Sequence, residues 1–152
     1  GAALGLKRKK SPAFVYNLMS DGELGEGSTW EAAMSAVQHR LGNLVCLVDF
    51  NDQQADGRTT DALARVPEEA KWAAFGWHVL SCDGHDFEDL QRTIQAGHAR
   101  RGTGQPTVVL MKTEMGKGVD FMEGTHKWHG IAPSDEQLEL ALGQLESSLE
   151  DY

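Results

Sequence analysis

Between Met19 and Asp52 the chain reads MSDGELGEGSTWEAAMSAVQHRLGNLVCLVDFND, and two oxygen-bearing side chains stand where two apolar runs stop. Asp21 lies just past the run Ala13–Met19, and Asn51 lies just past Leu44–Phe50. If both runs are parallel strands, their carboxyl ends open on one crevice, the usual place for a ligand in an open parallel sheet. Asp21 offers a charged oxygen and Asn51 a neutral one, and the polar turn that follows exposes carbonyls such as that of Gln53. Three hard oxygens suit magnesium, which takes octahedral geometry at about 2.0–2.1 Å and fills its other positions with water and ligand phosphate. One carboxylate suits a metal that also carries a diphosphate, because a second would crowd anions around one divalent ion. On residue types alone an alternative stands beside this: Asp-Gly and Asn-Asp are ordinary turn dipeptides.

Other phosphate and metal motifs fail. An EF-hand starting at Asp49 would need glycine where Gln54 stands and glutamate where Thr60 stands. Gly116-Lys117-Gly118 is no P-loop, since Met111 replaces the upstream glycine and neither Ser nor Thr follows the lysine.

The elements that must position Asp21 and Asn51 follow from hydrophobic periodicity. Ala13–Met19 is expected to be a buried strand. Ser28-Thr29-Trp30-Glu31 has the form of a capping box, and Trp30, Ala33, Met34, Val37 and Leu41 then recur at helical spacing until Gly42. Leu44–Phe50 is a second strand, and the hydrophilic NDQQADGRTTD after it a loop. Pro67-Glu68-Glu69 opens a short helix through Trp72 and Phe75, and Trp77–Cys82 is a third strand. Asp86 caps a helix with Phe87, Leu90 and Ile94 on its inner face, and Thr107–Lys112 is a fourth strand. Ser134 to Gln137 forms a second capping box, with Leu138, Ala141, Leu142, Leu145 and Leu149 on one face of a final helix. Strands alternating with amphipathic helices imply an α/β fold, a parallel sheet covered by helices on both faces.

Bulk properties bound the function. A chain of 152 residues suits one domain spanning 1–152. Its net charge of -9, from 14 basic and 23 acidic side chains, repels nucleic acid and anionic membranes over long range. A small phosphorylated ligand stays open, because glycine-rich turns and a metal bind phosphate locally. Cys46 and Cys82 lie in apolar runs without metal-ligand spacing, which fits buried thiols in a reducing compartment. With no apolar stretch of membrane-spanning length and no signal-peptide order of segments, the expected location is the cytoplasm. GAALGLKRKK opens without Met and reads as the end of a helix, so the chain is expected to be a fragment or a processed product.

DGELGEGSTWEAAM followed by LVDFNDQQADG, then FGWHVLSCDGHD, KTEMGKGVDFMEG and KWHG, resembles the pyrophosphate-binding half of a bacterial transketolase over nearly the whole chain. The resemblance implies a partial thiamine-diphosphate-binding domain, with thiamine diphosphate and Mg2+ as cofactors. It makes Asp21, Asn51 and the backbone carbonyl of Gln53 the metal ligands, and brings Gly22 against the diphosphate. It matches Glu26 to a glutamate at the subunit contact, where carboxylates link paired active sites, and His129 to a histidine that touches diphosphate and substrate. Imidazole fits that work, since it donates to an oxyanion and moves a proton near neutral pH. His126 matches less closely, and His85 and Lys117 read as loop residues.

Ser20 departs from the family's usual glycine, which implies an altered turn into the site. The family's upstream segment, with a glycine-rich cofactor loop and channel histidines, is not in this sequence. Nor is the pyrimidine-binding domain that supplies the ring-activating glutamate. The reaction implied is transfer of a two-carbon ketol unit between sugar phosphates, carried out with a pyrimidine-binding C-terminal domain or subunit in a homo- or hetero-oligomer. Two alternatives are the α subunit of a 2-oxoacid dehydrogenase and a catalytically empty binding or scaffold remnant.

Overall fold

The structure, a computed structural model, describes residues 1–54, 57–58 and 67–145. Four parallel strands form its sheet: β1 (Val15–Ser20), β2 (Leu44–Phe50), β5 (His78–Asp83) and β6 (Thr107–Lys112), in the order β1-β2-β6-β5. A strand paired on both sides and covered on both faces is apolar along most of its length. This is why the runs Leu44–Phe50 and Thr107–Lys112 become the two inner strands with the boundaries their sequence suggests. Thr107 through Met111 are all buried.

Helices cover both faces. On one side α1 (Ala2–Arg8), α2 (Gly27–Gln38) and α3 (Glu68–Ala74) bring Ala3, Ala33, Ala36 and Trp72 onto Cys46, Val48, Val108 and Leu110. Aromatic packing dominates there. Trp72 lies 4.9 Å from Trp30 and 4.8 Å from Trp77 between ring centres. The indoles of Trp30 and Trp77 donate to the carbonyls of Leu24 and Ala33, which ties the tryptophans to backbone as well as to each other. On the other side α4 (Phe87–Ala99) packs Leu90 against Val45, Cys82, Val109 and Met111. Gly97 lets α4 approach β6: a Cβ there would meet the Thr107 methyl at 3.1 Å. The last helix is α5 (Asp135–Gln144).

Caps formed by local sequence appear where expected at two helices. The Asp86 carboxylate accepts from the amides of Glu88 and Asp89, and Ser134 with Gln137 forms a full capping box. The expected box at Ser28–Glu31 does not form. Helix α2 begins at Gly27 with Glu26 as N-cap and no side-chain cap bond. That start puts Ser28 inside the first turn, past the cap position, while the Thr29 hydroxyl and the Trp30 indole donate back to the carbonyls of Glu23 and Leu24.

Other expectations are corrected by the sheet order. Ala13–Met19 is an edge strand rather than a buried one, with Tyr16 49% and Leu18 70% exposed. Phe87 and Met34 point out of their helices, and α5 buries Ala141 but leaves Leu138 and Leu142 exposed, as is Leu145 just past its end. Leu149 lies outside the described residues. In the polar stretch after Asn51, Gln53–Gln54 (β3) and Gly57–Arg58 (β4) pair as a two-residue antiparallel ladder, and residues 55–56 and 59–61 lie outside the described residues. Among the described residues no helix is long and apolar enough to cross a membrane.

Glycine is required at position 116. Its φ is +74°, and a Cβ would lie 2.4 Å from the Met122 carbonyl oxygen. Gly116→Ala is therefore expected to destabilise the chain by about 2 kcal/mol or more, from left-handed strain and overpacking together. Thermal unfolding checks this, and an unchanged midpoint would contradict it.

Candidate cofactor and metal site

The register of β1 on β2 pairs Ser20 with Asp49, so Asp21 and Asn51 emerge from adjacent strand ends. Asp21 continues the ladder by one bond, its amide donating to the Asp49 carbonyl at 3.0 Å. Its side chain is buried, at 6% exposure. One carboxylate oxygen accepts from the Asp52 amide at 2.7 Å, while the other, Oδ1, is buried without a hydrogen-bond partner. Burial pushes the Asp21 carboxyl up from its ordinary 3.8 to about 6. The amides of Asp52 and Gly22 oppose the rise, and the charges of Asp49 and Asp52 add to it. A desolvated carboxylate with an unused oxygen and two acidic neighbours is a place where a bound cation relieves an existing cost.

Asn51 is held by its own loop. Its Oδ1 accepts from the Gln53 amide at 2.9 Å, and its Nδ2 donates to Asp49 Oδ2 at 3.3 Å. The other Asp49 oxygen takes the Thr113 hydroxyl, so Asp49 links the end of β6 to the amide of Asn51 and sets which way it faces. Asp52 adopts a left-handed φ of 59°, tolerable for a short polar side chain. That conformation turns its amide onto Asp21, and Arg58 grips its carboxylate at 2.7 Å. Asp49, Asp52, Arg58 and Thr113 were not legible as site residues; the Asn-Asp dipeptide was the only signal, and it marks a turn.

Asn51, Asp52 and Gln53 line a cleft of about 640 Å³ together with Thr113, Met115 and His126 among others. Among the described residues no three His, Cys, Asp or Glu side chains converge as a metal cage. A cation here would take one carboxylate from Asp21, the amide oxygen of Asn51 and the carbonyl of Gln53, and complete its shell from water and ligand. That donor set fits magnesium.

Gly22 opens the 3-10 turn Gly22–Gly25 and is not in the left-handed region, so what it offers a diphosphate is the absence of a side chain. Ser20 stays in the strand. Its amide donates to Glu23 Oε2 at 2.8 Å and its hydroxyl accepts from the Glu23 amide, so the turn is built with serine. Glu26 is exposed at the start of α2. His126 reaches the cleft, whereas His129 is exposed just past the 3-10 turn His126–Trp128 and is not among the lining residues. His85 accepts from the Glu114 amide at 2.8 Å, and Lys117 faces Glu114 and Glu123, which leaves both in structural roles.

A parallel α/β sheet with a desolvated aspartate and an amide side chain at adjacent carboxyl ends defines a ligand-binding domain of the open-sheet class, able to hold a cation at its strand ends. Residues 7–146 match the family described as "Transketolase, thiamine diphosphate binding domain", and the chain belongs to that family. It is 41% identical over 145 residues to an apulose-4-phosphate transketolase subunit from Actinobacillus succinogenes, covering 95% of this chain and 51% of that protein. It is 38% identical over 146 residues to the 6-deoxy-6-sulfo-D-fructose transketolase subunit SqwG of a Clostridium species, covering 96% and 52%. The transketolase structure from Campylobacter jejuni superposes with a TM-score of 0.82 at 27% identity, over 94% of this chain and 22% of that one. The chain thus spans about half the length of these subunit relatives.

Proposed function

We propose that this chain is the diphosphate-binding part of an enzyme that moves a two-carbon ketol unit between sugar phosphates, holding thiamine diphosphate through Mg2+ on Asp21, Asn51 and the Gln53 carbonyl. The observation that carries this reading is the buried, unpartnered Oδ1 of Asp21 beside the Asn51 loop. The bound cofactor supplies the electron sink for carbon–carbon bond cleavage. This chain's own residues bind and orient. Asp21 and Asn51 fix the metal, Asp49 aims the Asn51 amide, and Gly22 lets the backbone come close to phosphate. His129 donates to an oxyanion and handles a proton. Glu26, exposed at the start of α2, meets a neighbouring protomer. Two of the relatives are named as subunits, which supports a second polypeptide carrying the pyrimidine-binding domain.

The test is calorimetric titration of the purified chain with thiamine diphosphate and Mg2+, alone and with a pyrimidine-domain chain, alongside a ketol-transfer assay using a ketose phosphate donor and an aldose phosphate acceptor. Metal-dependent binding that tightens with the second chain, and turnover only with it, is expected. Robust turnover by these 152 residues alone, or no binding under either condition, would sink the proposal.

A further inference from the structure

Four cations gather at the opposite end of the sheet from Asp21. Lys7 and Lys10 come from the end of α1 and the turn after it, Arg40 from the turn before β2, and Arg101 from the turn before β6. They line a cavity of about 480 Å³ with Ser11, Asn43 and three glycines, and no acidic residue borders it. In a chain of net charge -9 that concentration of positive charge is out of proportion to the whole. Among the described residues no carboxylate pairs with any of the four.

Part of this charge has structural work. Lys7 Nζ donates to the carbonyls of His39 and Arg40 at 2.6 and 2.9 Å, where α2 ends. Arg101 donates to the carbonyls of Ser11 and Pro12 and lies over the Phe14 ring. The other part has none. The Lys10 ammonium has no hydrogen bond among the described residues, and Arg40 makes one long bond, Nη2 to the Thr103 carbonyl at 3.4 Å. Helices α1, α2 and α4 all end at this edge, and each contributes roughly half a negative charge. Four full cations outweigh these three partial charges by about two and a half, enough to balance a phosphate group of roughly -1.5 to -2 at neutral pH.

We propose that this cavity is an anion site for inorganic phosphate or a small phosphate ester, separate from the cofactor site. Lys10 and Arg40 supply the free charge. Gly42 and Gly104 let the turns carrying Arg40 and Arg101 pack against each other, since a Cβ at either would meet Arg101 or Arg40 atoms at 2.4 or 3.1 Å, and Gly102 leaves open space on the lining. The seven-residue strand β2 separates the two sites by roughly 20 Å, so one phosphate cannot serve both. The volume admits a phosphorylated sugar as well as the free ion.

Titration of the isotopically labelled chain with inorganic phosphate, without Mg2+ and at constant ionic strength, tests this by amide chemical shifts. Saturable shifts at Gly42, Gly102 and Gly104 are expected, and Lys10→Glu should weaken binding about tenfold or more, as for loss of one charge-assisted contact. Lys10 is exposed and its side chain unpartnered among the described residues, so the fold should persist. Arg40→Gln is the second variant, and weakened binding in either, with circular dichroism unchanged, supports the site. A parallel titration with glucose 6-phosphate separates the two sources: equal or tighter binding includes esters, and much weaker binding restricts the site to the free ion. Shifts that never saturate, shifts confined to the Asp21 end, or parental affinity in both variants would overturn the proposal.

Discussion

Replacing Asp21 with alanine is expected to weaken Mg2+-dependent thiamine diphosphate binding by at least about a hundredfold, the largest loss of any single substitution in this chain. Removing groups that merely orient a metal ligand typically costs 10- to 100-fold, and Asp21 would be the one charged ligand. The buried carboxyl titrates near 6 instead of 3.8, which gives the prediction a second arm. Below about pH 6 a proton occupies the carboxylate the metal requires, so affinity should fall by up to about tenfold per pH unit there and level off above about pH 7. The Asp21→Ala chain should lose that pH dependence.

Stability of the metal-free chain should run the other way. The folded pKa is raised above the unfolded one, so this group's favourable contribution is complete below about pH 4 and disappears as pH rises through about 6. Calorimetry across pH 5 to 8, with thermal unfolding of the metal-free chain from pH 4 to 8, checks both. Parental affinity in Asp21→Ala would remove Asp21 from the metal site.

His129→Ala is expected to lower turnover by roughly 10²- to 10⁴-fold in the assembled enzyme, the range for a group that moves a proton in the transition state. Cofactor affinity should change far less, and the melting temperature should not change, because the imidazole is exposed. What positions it is backbone and a neighbour. The His129 amide donates to the His126 carbonyl at 2.9 Å, and the adjacent Trp128 is pinned by its indole on the Phe121 carbonyl at 3.0 Å and by edge contact with the Phe121 ring. Steady-state kinetics with and without the substitution decide it. Unchanged kinetics would leave His129 a surface loop residue and turn attention to His126, which the cleft already includes.

Properties that depend on a few neighbouring residues were legible in the sequence. The inner strands Leu44–Phe50 and Thr107–Lys112 could be read to the residue, because a strand covered on both faces is a nearly continuous apolar run bounded by polar turn residues. Asp86 and Ser134 announced their caps because a cap is a bond across two or three residues. Asp21 and Asn51 were visible as polar residues ending apolar runs, and the motifs around them identified the family.

The order β1-β2-β6-β5 had to come from tertiary structure, since nothing local says that β6 enters between β2 and β5. That order leaves β1 at an edge with Tyr16 and Leu18 exposed, although its sequence is as apolar as a buried strand. Likewise, α5 has the periodicity of an amphipathic helix, but periodicity states only that a face could be buried. The site shows the same division. Local sequence marked Asp21 and Asn51 as candidate oxygens for a cation. It took the fold to establish that Thr113, 64 residues from Asp49, meets it, that Asp49 then orients Asn51, and that Asp52 gives its amide to one oxygen of Asp21 and leaves the other unpaired. Such bonds join distant chain segments, so their partners are set by strand register and packing, which no local pattern encodes.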